Sequence, residues 1–310
     1  MTVKQLLAGL VLCIGISQLP AKELKVLTIG NSSSFSVGKN LPMIVHSFPD
    51  HKLELTSAYI NGCTFEKHVA NIKLAEADRK KGIYTVAVRN SASPTRPVEF
   101  KASLVELLKN QKYDIITIQQ ASTKSWEWDS YEPFAGELIR YIRKVQPKAE
   151  IVIQQTWAFR ADAPHFRKPT FGQADMYEKL CEANRKLAEK YRLRVIPMGD
   201  AVQLFRESSP VKYQIPEEKM AYPNLPSSEG DAVGASLWRK DPKSGENILL
   251  NDYRGLNLDG QYMQGCLWFG FLYDEPVEKI KYAPKGMDKE KVALLKECAE
   301  RALSGWKQVK

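Results

Sequence analysis

The residues that could do chemistry in this chain are a serine at a glycine turn, two adjacent glutamines, and an aspartate followed by a glycine. Gly30-Asn31-Ser32 closes the apolar run Leu24 to Ile29. A tight turn there would lift the Ser32 hydroxyl above the end of a strand, with a helix N-terminus behind it that favours negative charge. Acyl transfer also needs donors for a developing oxyanion. The backbone N–H groups of Ser32 and Gly62 and the side-chain amide of Gln119 or Gln120 are the candidates. Taken alone, Gly30-Asn31-Ser32 is also readable as an ordinary turn with a capping serine. Gln119 and Gln120 are more telling, because amides that end an apolar run are costly unless paired.

The elements that must position these groups alternate strand with helix. Leu24 to Gly30, Leu53 to Ile60, Asp114 to Gln120, Ile151 to Trp157 and Arg194 to Met198 read as strands, several of them uninterrupted apolar runs. Phe65 to Asp78, Leu104 to Asn110, Glu132 to Val145, Ala174 to Tyr191, Leu258 to Tyr273 and Lys289 to Trp306 read as helices. Ile83 to Val88 with Val98 to Phe100 suggests a small inserted hairpin, and residues 206–250, rich in Pro, Ser, Gly and charge, an irregular excursion. Buried strands alternating with helices imply a parallel sheet covered on both faces, a three-layer α/β/α sandwich in one domain over 22–310. In such sheets the ligand site lies at the carboxyl ends of the strands. Those ends are Gly30-Asn31-Ser32, Asn61-Gly62-Cys63, Gln119 to Ser122 and Gln155-Thr156-Trp157. No G-x-G-x-x-G and no G-x-x-x-x-G-K-[ST] occurs, which removes the sequence support for dinucleotide or nucleoside-triphosphate binding.

Composition narrows the class further. Of 310 residues, 44% are hydrophobic and 26% charged, which excludes disordered, collagen-like and multi-span membrane proteins. Five Cys exclude a disulfide-built scaffold, and the absence of C-x-x-C spacing together with only four His argues against a metal centre. One disulfide among Cys63, Cys181, Cys266 and Cys298 is left open. The net charge of +9 fits an ordinary basic protein or one with an acidic glycan partner. Nucleic acid falls behind, because no run of five basic residues or nucleic-acid motif is present. Lys4, the apolar stretch Leu6 to Ile16 and Ala21 read as a signal peptide over 1–21, cleaved before Lys22, with no stable membrane insertion. The mature protein is then expected in the periplasm or secreted.

Several stretches in order carry a family resemblance. Ile29-Gly30-Asn31-Ser32 with Phe35-Ser36 resembles the first block of the SGNH/GDSL hydrolase superfamily, in an exported bacterial branch. Tyr59 to His68 is similar to that branch's second block, and Asp114 to Ser122, with Gln-Gln-Ala-Ser, to its third. Gln154 to Ala158, His165 and Asn257 to Tyr262 follow the same register. The resemblance covers roughly residues 24 to 275 and implies a flavodoxin-like sheet and ester hydrolysis without metal or cofactor. It implies Ser32 as nucleophile, Gly62 as an oxyanion donor, and Gln119 or Gln120 in place of the usual Asn. The family's last block, Asp-x-x-His, reads Asp252-Tyr253-Arg254-Gly255 here, so a glycine stands where the general base belongs.

Without an imidazole the Ser32 hydroxyl has no base to take its proton. Catalysis has then been lost while a cleft remains, or another group acts, or the histidine was replaced. Asp162-Ala163-Pro164-His165 repeats the Asp-x-x-His spacing, which makes His165 the alternative base, although the family register suggests substrate contact for it. His68 is expected as a helix cap or at the surface, and His46 and His51 at the surface near a turn. Trp126, Trp128 and Trp157 stand near the active edge and could stack on sugar rings. The leading reading is an exported esterase acting on acyl, especially acetyl, esters of carbohydrates. The second is a glycan-binding relative without catalysis. A third, a glycosidase, would need paired carboxylates such as Asp252 with Asp231 or Glu229.

Overall fold

The structure, a computed structural model, describes residues 22–167, 170–216 and 220–307. The expected signal peptide at 1–21 lies outside them. In chain order the elements are β1 (Lys22–Gly30), α1 (Ser32–Phe35), α2 (Leu41–His46), β2 (His51–Tyr59), α3 (Phe65–Ala77), β3 (Ile83–Asn90), β4 (Val98–Ser103), α4 (Leu104–Asn110) and β5 (Ile115–Ile118). They continue with α5 (Phe134–Val145), β6 (Glu150–Gln154), α6 (Gln173–Tyr191), β7 (Arg194–Ile196), α7 (Met198–Ser208), β8 (Val233–Lys240), β9 (Asn247–Leu256), α8 (Leu258–Tyr273) and α9 (Lys289–Lys307).

The central sheet has the order β4-β3-β2-β1-β5-β6-β7. The five strands β2, β1, β5, β6 and β7 are parallel, and β3 and β4 extend the β2 edge antiparallel. The strand order reverses on either side of β1, so the crevice at its carboxyl end, between β1 and β5, is the switch point where such sheets bind ligands. Both faces of β1 are buried. Leu24 and Val26 join one core with α2, α7, α8 and α9, while Leu27 and Ile29 join the other with α3, α4, α5 and α6. A strand sandwiched this way has to read as a continuous apolar run. The three-layer α/β/α expectation is therefore met.

Several local expectations are corrected. The hairpin at 83–103 is a pair of full edge strands of the main sheet, with β4 largely exposed. The excursion at 206–250 contains the end of α7 and most of a two-stranded sheet, β8–β9. Those strands are only partly covered, so their sequence is mixed and lacks an apolar run. His51 is buried, stacked on Tyr273 at 4.4 Å with its Nε2 3.6 Å from Glu275. His68 is fully buried against Tyr84, its Nδ1 2.8 Å from the phenol oxygen. Cys63, Cys181, Cys266 and Cys298 are all free. Among the described residues no helix is long and apolar enough to cross a membrane.

Candidate active site

β1 must end in glycine. A β-carbon on Gly30 would run into the Ser34 hydroxyl and come within 3.1 Å of the Gln119 side chain. Asn31 then leaves the strand and caps α1. Its Oδ1 accepts from the Ser33 N–H at 3.1 Å and from Gln119 Nε2 at 2.6 Å, and its Nδ2 donates to the Cys63 carbonyl at 3.2 Å. Asn31 is buried by these partners, while the next residue, Ser32, is exposed. α1 has only four residues, so its dipole is slight. The turn is held by side chains instead.

The held carbonyl is that of Ser33. It accepts from Gln154 Nε2 at 2.9 Å on the sheet side and from Gln264 Nε2 at 2.9 Å on the α8 side. Gln264 also accepts from the Ser36 hydroxyl at 2.6 Å. Sequence reasoning placed Gln154 in a family block without a role and missed Gln264. The available signal was a single amide within the apolar stretch Tyr262 to Leu272, which is costly to bury unpaired.

The two adjacent glutamines part company. Gln119 gives one amide N–H to Asn31 and keeps a second, and its Oε1 is buried without a partner. Gln120 is corrected as an oxyanion donor. Its Oε1 accepts from the Phe65 and Ala121 N–H groups, and both amide hydrogens are committed to Ser130, at 2.8 Å to the carbonyl and 3.0 Å to the hydroxyl. It is a strut between the start of α3 and the loop after β5. Gly62 has φ +58°, a left-handed conformation that favours glycine, with open space where a β-carbon would stand. Its neighbour Cys63 is buried beside His68, and burial pushes the thiol up to about 12, so it is no nucleophile.

Position 255 sits in a bulge of β9. Val233 faces Leu256 and Ala235 faces Asp252, so Tyr253, Arg254 and Gly255 together oppose Gly234. Two bonds from the loop after β6 pin the bulge: Trp157 Nε1 donates to the Arg254 carbonyl at 2.7 Å, and the Arg160 N–H to the Tyr253 carbonyl at 3.0 Å. The Asp252 Oδ1 accepts from the Arg254 and Gly255 N–H groups at 2.9 and 3.1 Å. The three atoms nearest to a β-carbon built on Gly255 all belong to that carboxylate. β9, the strand that carries position 255, touches α1, the short helix that begins at Ser32.

The other expected residues divide. Asp162 is gripped by the buried Arg160, with Nε and Nη2 at 2.7 and 3.0 Å from its two oxygens. The Asp162–His165 spacing is therefore not a dyad, and His165 is exposed, its ring 5.0 Å from that of Phe159. Trp157 is corrected as a sugar contact, because it is 2% exposed and packed beneath the bulge. Trp126 and Trp128 are half-buried on the wall of a groove of about 610 Å³ shared with Phe171, Lys179 and Lys186. Asp231 is buried and ion-paired with Arg206 at 3.0 Å, which removes it as a glycosidase carboxylate. Among the described residues no three His, Cys, Asp or Glu side chains gather as a metal-ligand set.

The family described as a domain of unknown function, DUF4886, matches residues 25–214. The crystal structure of a DUF4886 family protein from Bacteroides uniformis ATCC 8492 is 26% identical with a TM-score of 0.73, over 91% of this chain and 95% of that one. A chain from Slackia heliotrinireducens, described as a candidate SGNH hydrolase, is 17% identical with a TM-score of 0.41, over 61% of this chain and 84% of its own. An acetyl xylan esterase is 14% identical with a TM-score of 0.34, over 56% and 76%. The last two superpose too weakly to bear on function. No curated protein matches the chain.

Proposed function

We propose, for a chain that belongs to the DUF4886 family, that it is an exported serine ester hydrolase of the SGNH kind, acting on acyl and above all acetyl esters of carbohydrates. One observation carries the reading. Ser32 is exposed at the switch-point edge, while the residues on either side of it, Asn31 and Ser33, are buried and fixed by amides from three separate elements. A serine that only capped a helix would need no such fixation.

In this reading the Ser32 Oγ attacks the ester carbonyl. The N–H groups of Ser32 and Gly62 and the second amide hydrogen of Gln119 receive the oxyanion. The ester C–O bond breaks as the sugar hydroxyl leaves, taking the Ser32 proton through water because position 255 carries no imidazole, and a second water then hydrolyses the acyl-enzyme to release the acid and free Ser32. Turnover is slow for that reason, since a positioned base typically contributes about 10²–10⁴-fold. The Trp126–Trp128 groove offers aromatic faces for sugar rings, and His165 beside it serves substrate contact. Gly255 itself favours the second reading, a glycan-binding relative in which the cleft persists without catalysis. Hydrolysis of p-nitrophenyl acetate by the protein and by Ser32→Ala separates the two. Turnover lost in Ser32→Ala supports the hydrolase, and equal rates leave the binding protein.

A further inference from the structure

We infer that Gln264 is a positioning residue that sets the register between the turn carrying Ser32 and the strand carrying position 255. Its catalytic half rests on the ester-hydrolase reading above. Its structural half does not.

The argument starts from the shortness of α1. Four residues cannot fix a helix through their own hydrogen bonds, so the direction of the Ser32 side chain depends on what grips the turn from outside. Gln119 grips Asn31, before Ser32. Gln154 and Gln264 grip the carbonyl of Ser33, after it, from opposite sides. Gln154 belongs to the sheet and holds the turn to its own base. Gln264 belongs to α8, and α8 is the direct continuation of β9.

That continuation is stiff. Asn257 caps α8 by accepting from the Gly260 N–H at 3.1 Å, and its Nδ2 donates to the Asp231 carbonyl at 2.7 Å. Next to Gln264, Gly265 lets the helix approach α2 so closely that a β-carbon would come within 2.9 Å of Asn40 and 3.0 Å of Ile44. α8 therefore has little freedom to slide. The bonds from Gln264 to Ser33 and Ser36 tie the nucleophile turn to the helix that leaves position 255. An apolar side chain of the same size would fill this fully buried place without the cost of burying an amide. What the amide adds is direction.

The test uses Gln264→Leu and Gln264→Glu, each in the natural chain and in Gly255→His. Glu keeps the size and the acceptor for Ser36 but removes the donor facing Ser33, so it decides the matter if the Leu variant folds poorly. Amide hydrogen exchange of the segment 31–36 is expected to rise about tenfold or more, with β5 and α9 unchanged. In Gly255→His, either change is expected to lower kcat for an acetyl ester about 10- to 100-fold and to leave KM within about twofold, because misplacement of a nucleophile acts on the transition state. Unchanged exchange overturns the inference. Raised exchange with unchanged kcat reduces Gln264 to a structural residue and also overturns it. Raised exchange with Gly255→His inert in every background leaves the brace standing and sinks the ester-hydrolase reading instead.

Discussion

The carboxylate of Asp252 folds back against Gly255, so close that a β-carbon on the glycine would overlap its Oδ2. Asp252 bonds to the backbone of the next turn, and in the proposed hydrolase reading it would support a histidine placed at 255. Introducing Gly255→His therefore requires the carboxylate to rotate. The obstacle is an exposed side chain rather than backbone, so the rotation costs no more than the two bonds that its Oδ1 accepts from Arg254 and Gly255.

Gly255→His is expected to raise acetyl-ester turnover by about 10²–10⁴-fold. At 1.36 kcal/mol per decade this is roughly 3–5 kcal/mol of barrier. Adding Asp252→Ala should remove much of the gain, because the new imidazole would lose its orienting partner. Steady-state kinetics on the single and double variants decide this, and a gain that survives Asp252→Ala would contradict the assigned geometry.

Ser32→Ala should abolish whatever turnover Gly255→His shows while leaving thermal stability within about 0.5 kcal/mol, the range of surface substitutions. Ser32 is exposed and its side chain holds nothing else in place. Persistent hydrolysis after this change would move the nucleophile elsewhere.

Acid should destabilise the protein through His68. Burial holds its pKa down at about 3 instead of 6.5, with Lys67 adding to the shift. Between those values the unfolded imidazole binds a proton that the folded one refuses. Stability therefore falls with pH across that window, by up to about 1.4 kcal/mol per pH unit. Urea unfolding from pH 7 to pH 4 measures the slope, and His68→Gln should flatten it. An unchanged slope in that variant would show that other groups govern the acid limb.

Asp231→Ala should cost about 3–5 kcal/mol, the usual penalty for stranding one partner of a buried ion pair. Asp231 receives Arg206 on both oxygens at 3.1 and 3.0 Å and the Val233 N–H at 2.9 Å. Denaturant unfolding reads the loss, and a cost under 1 kcal/mol would mean that the pair contributes little to the docking of β8.

N-terminal sequencing of extracytoplasmic protein should begin near Lys22. That residue already pairs with His51 in β1 and its N–H donates to the Asp50 carbonyl at 3.1 Å, a bond that a new terminal ammonium can keep. Intact Met1 protein confined to the cytoplasm would overturn the export reading.

The parallel core was legible because strands buried on two faces must be largely apolar, as Val26 to Ile29 and Ile115 to Ile118 are with one threonine in each. The turn residues Gly30, Asn31, Ser32 and Gly62 were legible as breaks in that pattern. The β8–β9 hairpin was not, because half-exposed strands such as Asn247 to Leu256 mix polar and apolar residues without regular alternation. Gln119 and Gln120 look alike in sequence, and only the partners brought by distant loops tell them apart. Gln264 and Trp157 were hidden for the same reason, since their bonds reach Ser33 and Arg254 across 231 and 97 residues of chain.

The brace on Ser33 also bears on the order of folding. Its two amides come from 121 and 231 residues further along the chain. Closing loops of that length is slow compared with local helix formation. The second amide belongs to α8, which with α2, α7 and α9 covers one face of the sheet. A ribosome that has reached residue 214 has made every parallel strand, yet the nucleophile turn still lacks half of its grip and that face still lacks two of its four helices. The site is thus written at the start of the chain and finished at its end, and the interval is when the nascent protein is most open to misassembly and to proteolysis.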